Sequence, residues 1–213
     1  MDELEFNRLL NESAQLLRQN RPEDAEAKLL PLYDASPEHA DVLINLSGAY
    51  ILQRKWDKAV RLLDKGAKAH PNNAMLWMNL GAAQLGRLET AGPKQQDRAI
   101  AAYQRALQAN PETPNAHYHL GLIYKERGEL IRAAAFFQRA LEVDPADQDA
   151  RYWLDKLPAM TAAQEREAQN AALDVDDVES NDEILEEILG DIFEEITDED
   201  DRDDDVQESS PRS

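Results

Sequence analysis

The sequence predicts an all-α chain of stacked repeats with an acidic appendage, and three observations predict it. Pro37, Pro71, Pro111 and Pro145 are separated by 34, 40 and 34 residues. Ala25, Ala59, Ala99 and Ala133 keep the same three intervals, as do Leu46, Leu80, Leu120 and Leu154. Independent ladders sharing one period in this range mark a repeat array. Charge supplies the third observation. Residues 1–160 hold 20 Lys and Arg against 22 Asp and Glu, a net of -2, whereas residues 161–213 hold 3 against 21, a net of -18. A nearly neutral body therefore bears a strongly acidic tail.

The units follow in order. The first, near residues 6–39, carries Ser13, Leu16, Ala25, Leu29 and Pro37. The second, near 40–73, carries Leu46-Ser47, Tyr50, Ala59, Leu63, Gly66 and Pro71. The third, near 74–113, has Trp77, Leu80-Gly81, Ala99, Tyr103, Ala106 and Pro111. The fourth, near 114–147, contains "HYHLGLIYKERGELIRAAAFFQRALEVDP", with Leu120-Gly121, Tyr124, Gly128, Ala133, Phe137, Ala140 and Pro145. "QDARYWLDKL", 148–157, begins a fifth unit and serves as a terminal cap.

In these residues and spacings the chain resembles the tetratricopeptide repeat, a helix–turn–helix unit. The resemblance covers about residues 6–157 and implies a right-handed α-solenoid whose concave face is lined by the first helix of each repeat. The physics agrees with the pattern. Small residues let the two helices of a unit approach, larger ones fill the space between units, and stacking buries a core that no unit could bury alone. Proline after the second helix ends it, because proline lacks the backbone donor and restricts the residue before it. The third repeat is six residues longer between Leu80 and Ala99 than the second between Leu46 and Ala59. The extra length falls in "GRLETAGPKQQ", where Gly92-Pro93 marks a loop. The expectation is a surface insertion, with a finger touching a partner as the sharper alternative.

The resemblance also places a binding groove. One row along the first helices reads Leu10, Ile44, Met78 and Tyr118, and the next reads Asn11, Asn45, Asn79 and His119. A third row is Ala14, Gly48, Ala82 and Leu122, and a fourth Leu17, Ile51, Leu85 and Lys125. An amide offers both donor and acceptor, as the backbone of an extended peptide requires. The asparagines therefore either clamp a peptide or bond the neighbouring repeat. Apolar and small residues around them suit an amphipathic helix or an apolar peptide. They do not reproduce the Lys and Arg clamp with which co-chaperone members of the family hold an acidic terminus. At the inward positions Lys125 and Arg127 supply some positive charge, but only in the fourth repeat.

Catalysis finds no support. His39 and His70 lie beside repeat-ending turns, His117 takes the place of Trp77, and His119 belongs to the groove row. No metal-ligand spacing, phosphate loop or nucleophile elbow is present, and no cofactor or metal is expected. There is no cysteine, which fits a cytoplasmic setting. The body lacks the basic footprint of a nucleic-acid binder, and no stretch approaches a membrane span.

The C-terminal part divides into a linker at 158–180, an acidic amphipathic helix at 181–197 and a disordered acidic tail at 198–213. Ser180 and Glu183 have the spacing of a capping box. Ile184, Leu185, Ile188, Leu189, Ile192, Phe193 and Ile196 form a helical stripe among carboxylates. The stripe is expected to fold on an apolar surface, either as a second hook for a partner or as a plug docking on this protein's own groove. The whole reads as a protein–protein interaction adaptor that binds a partner protein or peptide. The alternative is an assembly or holding chaperone that shields an apolar or basic client.

Overall fold

A computed structural model describes residues 1–113 and 115–157. The linker, the amphipathic stripe and the acidic tail of the sequence reading lie outside the described residues. Nine α-helices occur among the described residues, with no strand. In chain order they are α1 (Glu3–Arg18), α2 (Pro22–Ala35), α3 (Ala40–Leu52), α4 (Trp56–Ala69), α5 (Ala74–Leu85), α6 (Pro93–Ala109), α7 (Ala116–Glu126), α8 (Leu130–Val143) and α9 (Gln148–Lys156). A 3-10 turn, Leu88–Thr90, precedes α6. None of the described helices is long and apolar enough to cross a membrane.

Local chemistry sets the helix ends. Asp2, Asn73 and Asp147 cap α1, α5 and α9 by accepting backbone N–H bonds through their side chains. The first helices of repeats 1, 2 and 4 end in one and the same motif. Asn20, Arg54 and Gly128 take positive φ, and the following N–H donates back to Leu16, Tyr50 and Tyr124 respectively, at 2.9, 2.8 and 2.9 Å. This six-to-one bond with a left-handed residue satisfies carbonyls that the helix end would otherwise strand. It also turns the chain tightly enough for the second helix to fold back antiparallel.

Each first helix packs on its own second helix, and each second helix packs on the next first helix. The result is one continuous core that runs from Ala25 to Ala150. Its largest wholly buried members are Tyr103, Phe137, Leu29, Leu32, Leu46 and Leu63. This is the α-solenoid expected from the ladders.

The insertion is not a plain loop. Compared with repeat 2, α5 stops one residue earlier, the connection is four residues longer, and α6 begins a turn earlier, three residues further ahead of its buried alanine. Gly92-Pro93, read from sequence as a loop mark, is a helix start. Proline is at home at the first helical position, and Gln95 Oε1 accepts from the Gly92 N–H at 3.0 Å. The 3-10 turn lies against α7, and Leu88 and Ala91 pack on the core.

Candidate functional site

The first helices form the candidate surface. α1 packs along α3 and α3 along α5, so Leu10, Asn11, Ile44, Asn45, Gly48, Met78, Asn79 and Ala82 come from three neighbouring helices. α7 is different. It packs mainly on α6 and α8 and against the 3-10 turn, so the row does not continue from α5 to α7 in the same way.

The rows differ in what they leave open. Met78 is buried and contributes no free side chain, whereas Leu10 and Ile44 are half-buried and Asn11 is exposed. Gly48 faces open space: a Cβ placed there would meet only Leu17 Cδ1, at 3.9 Å. With Ala14 and Ala82 at equivalent positions, the middle of the face offers little side chain and a close approach to backbone.

The asparagine row divides. Asn79 Nδ2 donates to the Ile44 carbonyl at 3.1 Å and to Ser47 Oγ at 3.0 Å, so it ties repeat 3 to repeat 2. Ser47 Oγ itself donates to the same carbonyl at 2.9 Å. Asn45, one repeat earlier, is half-buried, and no hydrogen bond from another described residue engages its amide. In repeat 4 the position is His119, whose ring stacks on Tyr103 with centroids 5.3 Å apart. Burial pushes the His119 imidazole below its ordinary range. Of the four positions, one is an inter-repeat latch and one is half-buried against Tyr103, whereas Asn11 is exposed and Asn45 half-buried.

The α7 residues are engaged with the end of the solenoid. Tyr118 packs on Phe137, and burial pushes its phenol up against the opposing effect of a hydrogen bond with Trp153. Lys125 Nζ lies 4.5 Å above the Trp153 ring. Leu122 is half-buried beside them. Arg127 reaches back into the inserted turn. It donates from Nε to Gln96 Oε1 at 2.8 Å, approaches the Pro93 carbonyl, and pairs with Asp97. Lys125 and Arg127 thus both have partners within the chain.

A second latch sits at the equivalent helix end of repeat 2. Gln53 Nε2 donates to Glu26 Oε2 at 2.7 Å and to the Pro22 carbonyl at 3.3 Å, and Lys55 Nζ donates to Glu26 at 2.8 Å. Burial acts to raise the Glu26 carboxyl, yet these donors overcome it and hold it below the usual carboxylate range. Sequence reasoning missed both latches. Their signal was faint: Gln53 and Arg127 share one repeat position, each opposite a proline that starts the preceding second helix.

The other histidines stay clear of this surface. His39 is exposed and tilts over Phe6 at 5.1 Å. His70 Nε2 bonds the Glu38 carbonyl at 2.6 Å and links two repeat-ending turns. Among the described residues no cluster of His, Asp or Glu has the makings of a metal site.

Comparison with known proteins agrees with this geometry. Residues 16–83 and 114–147 match the family described as tetratricopeptide repeat, and residues 94–128 match the one described as TPR repeat. A peroxisomal targeting signal receptor of Candida albicans is 30% identical over 96 residues, which is 42% of this chain and 15% of that protein. The receptor of the same description from Candida glabrata is 28% identical over 95 residues, again 42% and 15%. The chain thus matches only 15% of the length of these curated relatives. Among solved structures, TTC0263, a thermophilic TPR protein of Thermus thermophilus, aligns over 88% of this chain and 99% of its own, at a TM-score of 0.65 and 18% identity. MamA from Desulfovibrio magneticus RS-1 aligns over 85% and 98%, at 0.56 and 22%. At these identities the likeness is one of fold. Ladders, helical pairs and matched residues converge, and the chain belongs to the tetratricopeptide-repeat family.

Proposed function

We propose that this protein is a non-enzymatic adaptor whose first-helix face, on α1, α3 and α5, receives an apolar peptide or helix of a partner protein. The observation that carries the reading is the open middle of that face. Gly48 stands clear between Ala14 and Ala82, and Asn45 beside it holds an amide that no other described residue bonds. A peptide lying there finds room for its backbone and a donor–acceptor pair to meet it, with Leu10 and Ile44 as apolar flanks. The relatives named as targeting-signal receptors support the idea that this repeat pattern serves recognition of another protein.

In this reading the α7 positions give the face its boundary, not its grip, because Tyr118, His119 and Lys125 are already packed or stacked. The acidic stripe from Ile184 to Ile196 is a second hook, engaging a partner surface that is apolar and rimmed by basic residues.

The reading is tested with a partner captured by the full-length chain and then purified. Gly48→Leu fills the open middle and Asn45→Ala removes the free amide, and each is expected to weaken binding while thermal stability is kept. Retained affinity in the Gly48→Leu/Asn45→Ala double variant, with the fold intact, removes this face as the site.

A further inference from the structure

A pocket of about 510 Å³ lies between α7, the end of α8 and the turns that flank them, and no residue of α1, α3 or α5 lines it. That volume falls within the roughly 300–1,000 Å³ of small-ligand sites. The preceding repeat explains why it is there. Trp77 is buried at 6% exposure, and its Nε1 donates to the Pro71 carbonyl at 2.8 Å, so the indole fills the ground between helix and turn. The equivalent residue of repeat 4 is His117, a smaller ring that lies against Phe136 with centroids 6.2 Å apart. Where repeat 3 packs a tryptophan, repeat 4 leaves space walled by His117, Tyr118 and Val143.

The lining differs in charge as well as in size. The pocket carries the carboxylates of Glu112, Glu142, Asp144 and Asp147. The same repeat positions one unit earlier are Asn72, Gln108, Asn110 and Thr113, all of them neutral. Arg139 offsets one of the four by donating to Glu142 at 3.1 Å. Asp144 accepts from the Ala146 N–H at 2.9 Å, and Asp147 from those of Asp149 and Ala150 at 3.0 and 2.9 Å. Neutral donors leave the charge in place, and an ionised carboxylate has acceptor sites for more. The negative field reaches the aromatic wall. Burial is the largest influence that pushes the Tyr118 phenol up, and Asp149 and Asp147 push it the same way.

We propose that this pocket receives an arginine side chain of a partner protein. Glu112 and Asp144 are exposed and stand at its rim, whereas Tyr118 and His117 are half-buried and lie deeper. A planar guanidinium meets a carboxylate through two parallel N–H bonds and stacks on an aromatic ring, which a lysine ammonium does not. Val143, 39% exposed, offers apolar surface to the methylenes behind the charge. Carboxylates alone would mark a solvated surface. The enclosed space that His117 leaves, with rings beside it, is what gives a guanidinium somewhere to go. The proposal goes beyond the reading of the first-helix face and does not depend on it, since Leu10, Ile44, Asn45 and Gly48 lie outside the pocket.

The test titrates isotope-labelled full-length protein with the capped peptide Gly-Arg-Gly, and with the same peptide carrying citrulline, which keeps the shape of arginine without its charge. The arginine peptide is expected to shift the amide signals of Tyr118, Val143 and Asp144 saturably in the millimolar range and to leave Ile44 and Ala82 in place. The citrulline peptide should bind at least about tenfold more weakly, as the loss of a charged hydrogen-bond partner predicts. Glu112→Gln/Asp144→Asn removes two charges while keeping both shapes and the acceptor for the Ala146 N–H, and should weaken the arginine peptide by about tenfold as well. His117→Trp should close the pocket as Trp77 does in repeat 3 and abolish the shifts, with circular dichroism unchanged. No shift, shifts confined to the first-helix face, a citrulline or lysine peptide that binds as tightly as the arginine one, or binding untouched by the Glu112/Asp144 change overturns the proposal. The Gly48 and Asn45 variants report on the first-helix face separately, so either reading can fail without the other.

Discussion

The first two repeats and the last two solve the same packing problem with different side chains. Where α1 and α3 place Ser13 and Ser47, α5 and α7 place Gly81 and Gly121. Opposite them on the second helices stand Leu29 and Leu63 in the first pair, Tyr103 and Phe137 in the second. All eight positions are buried. A Cβ added to Gly81 would lie 2.7 Å from Tyr103 Cε1, and one added to Gly121 would lie 2.7 Å from Phe137 Cε1. Volume is therefore exchanged across the helix pair: an aromatic ring on one helix requires that the other give up its side chain. The serines of the first two repeats keep their hydroxyls satisfied by donating to Leu10 and Ile44 of their own helices, at 2.8 and 2.9 Å. The pair, not the residue, is the unit that selection of size acts on.

Breaking that exchange should give the largest effect. Gly121→Ser forces a side chain under Phe137 and is expected to cost about 1–3 kcal/mol in urea unfolding, despite serine's better helix propensity. Phe137→Leu alone leaves a void. Combined, the two recreate the serine–leucine arrangement of repeat 2, and the double variant should lose less than the sum, with a coupling of about 0.5–3 kcal/mol. Strict additivity would show that the ring and the glycine are not matched.

A smaller effect separates two residues of one type. Asn79→Ala removes two hydrogen bonds between repeats and should cost about 0.5–1.5 kcal/mol, whereas Asn45→Ala should stay within about 0.5 kcal/mol of the parent. Equal losses would mean that the difference in their bonding has no energetic content. Gly48→Ala is expected to stabilise by about 0.5–1 kcal/mol, since alanine is the better helix former and nothing crowds the site. A loss there would mean that the face is closed in solution.

The gentlest test is pH. Burial favours neutral His119 in the folded chain, so its proton is taken up first by the unfolded one. Stability should therefore fall as pH drops below about 6.5, the unperturbed imidazole value, until the lowered folded value is reached. His119→Phe should flatten that part of the profile relative to the parent, as thermal unfolding between neutral and mildly acidic pH would show. An unchanged slope would remove His119 as its source.

The repeats were legible because the solenoid is periodic in chain and in space alike. A ladder of Pro, Ala and Leu reports packing that recurs at every unit, and nearest-neighbour stacking leaves little else for the fold to choose. The insertion was legible in length but not in form. Gly-Pro marks a loop or the first turn of a helix, and the local sequence does not distinguish them until Gln95 is seen to close back on Gly92. Asn45 and Asn79 looked alike for a similar reason. Each sits at the same repeat position, and only the structure shows that Ser47 and the Ile44 carbonyl bond Asn79 while no described residue hydrogen-bonds the Asn45 amide.

The sequence by itself determined the helical class, the size of the repeat and the prolines that follow its second helices. These follow from backbone sterics, from proline's missing donor and from burial that repeats at a fixed interval. Only the tertiary structure decided which amides are latches and which are free, that Arg127 is bound to the inserted turn, and that the first-helix row changes character at α7. Those outcomes depend on groups 30 or more residues apart meeting within hydrogen-bond distance. A pattern can name the position of such a group, but its partner is chosen by how the units stack.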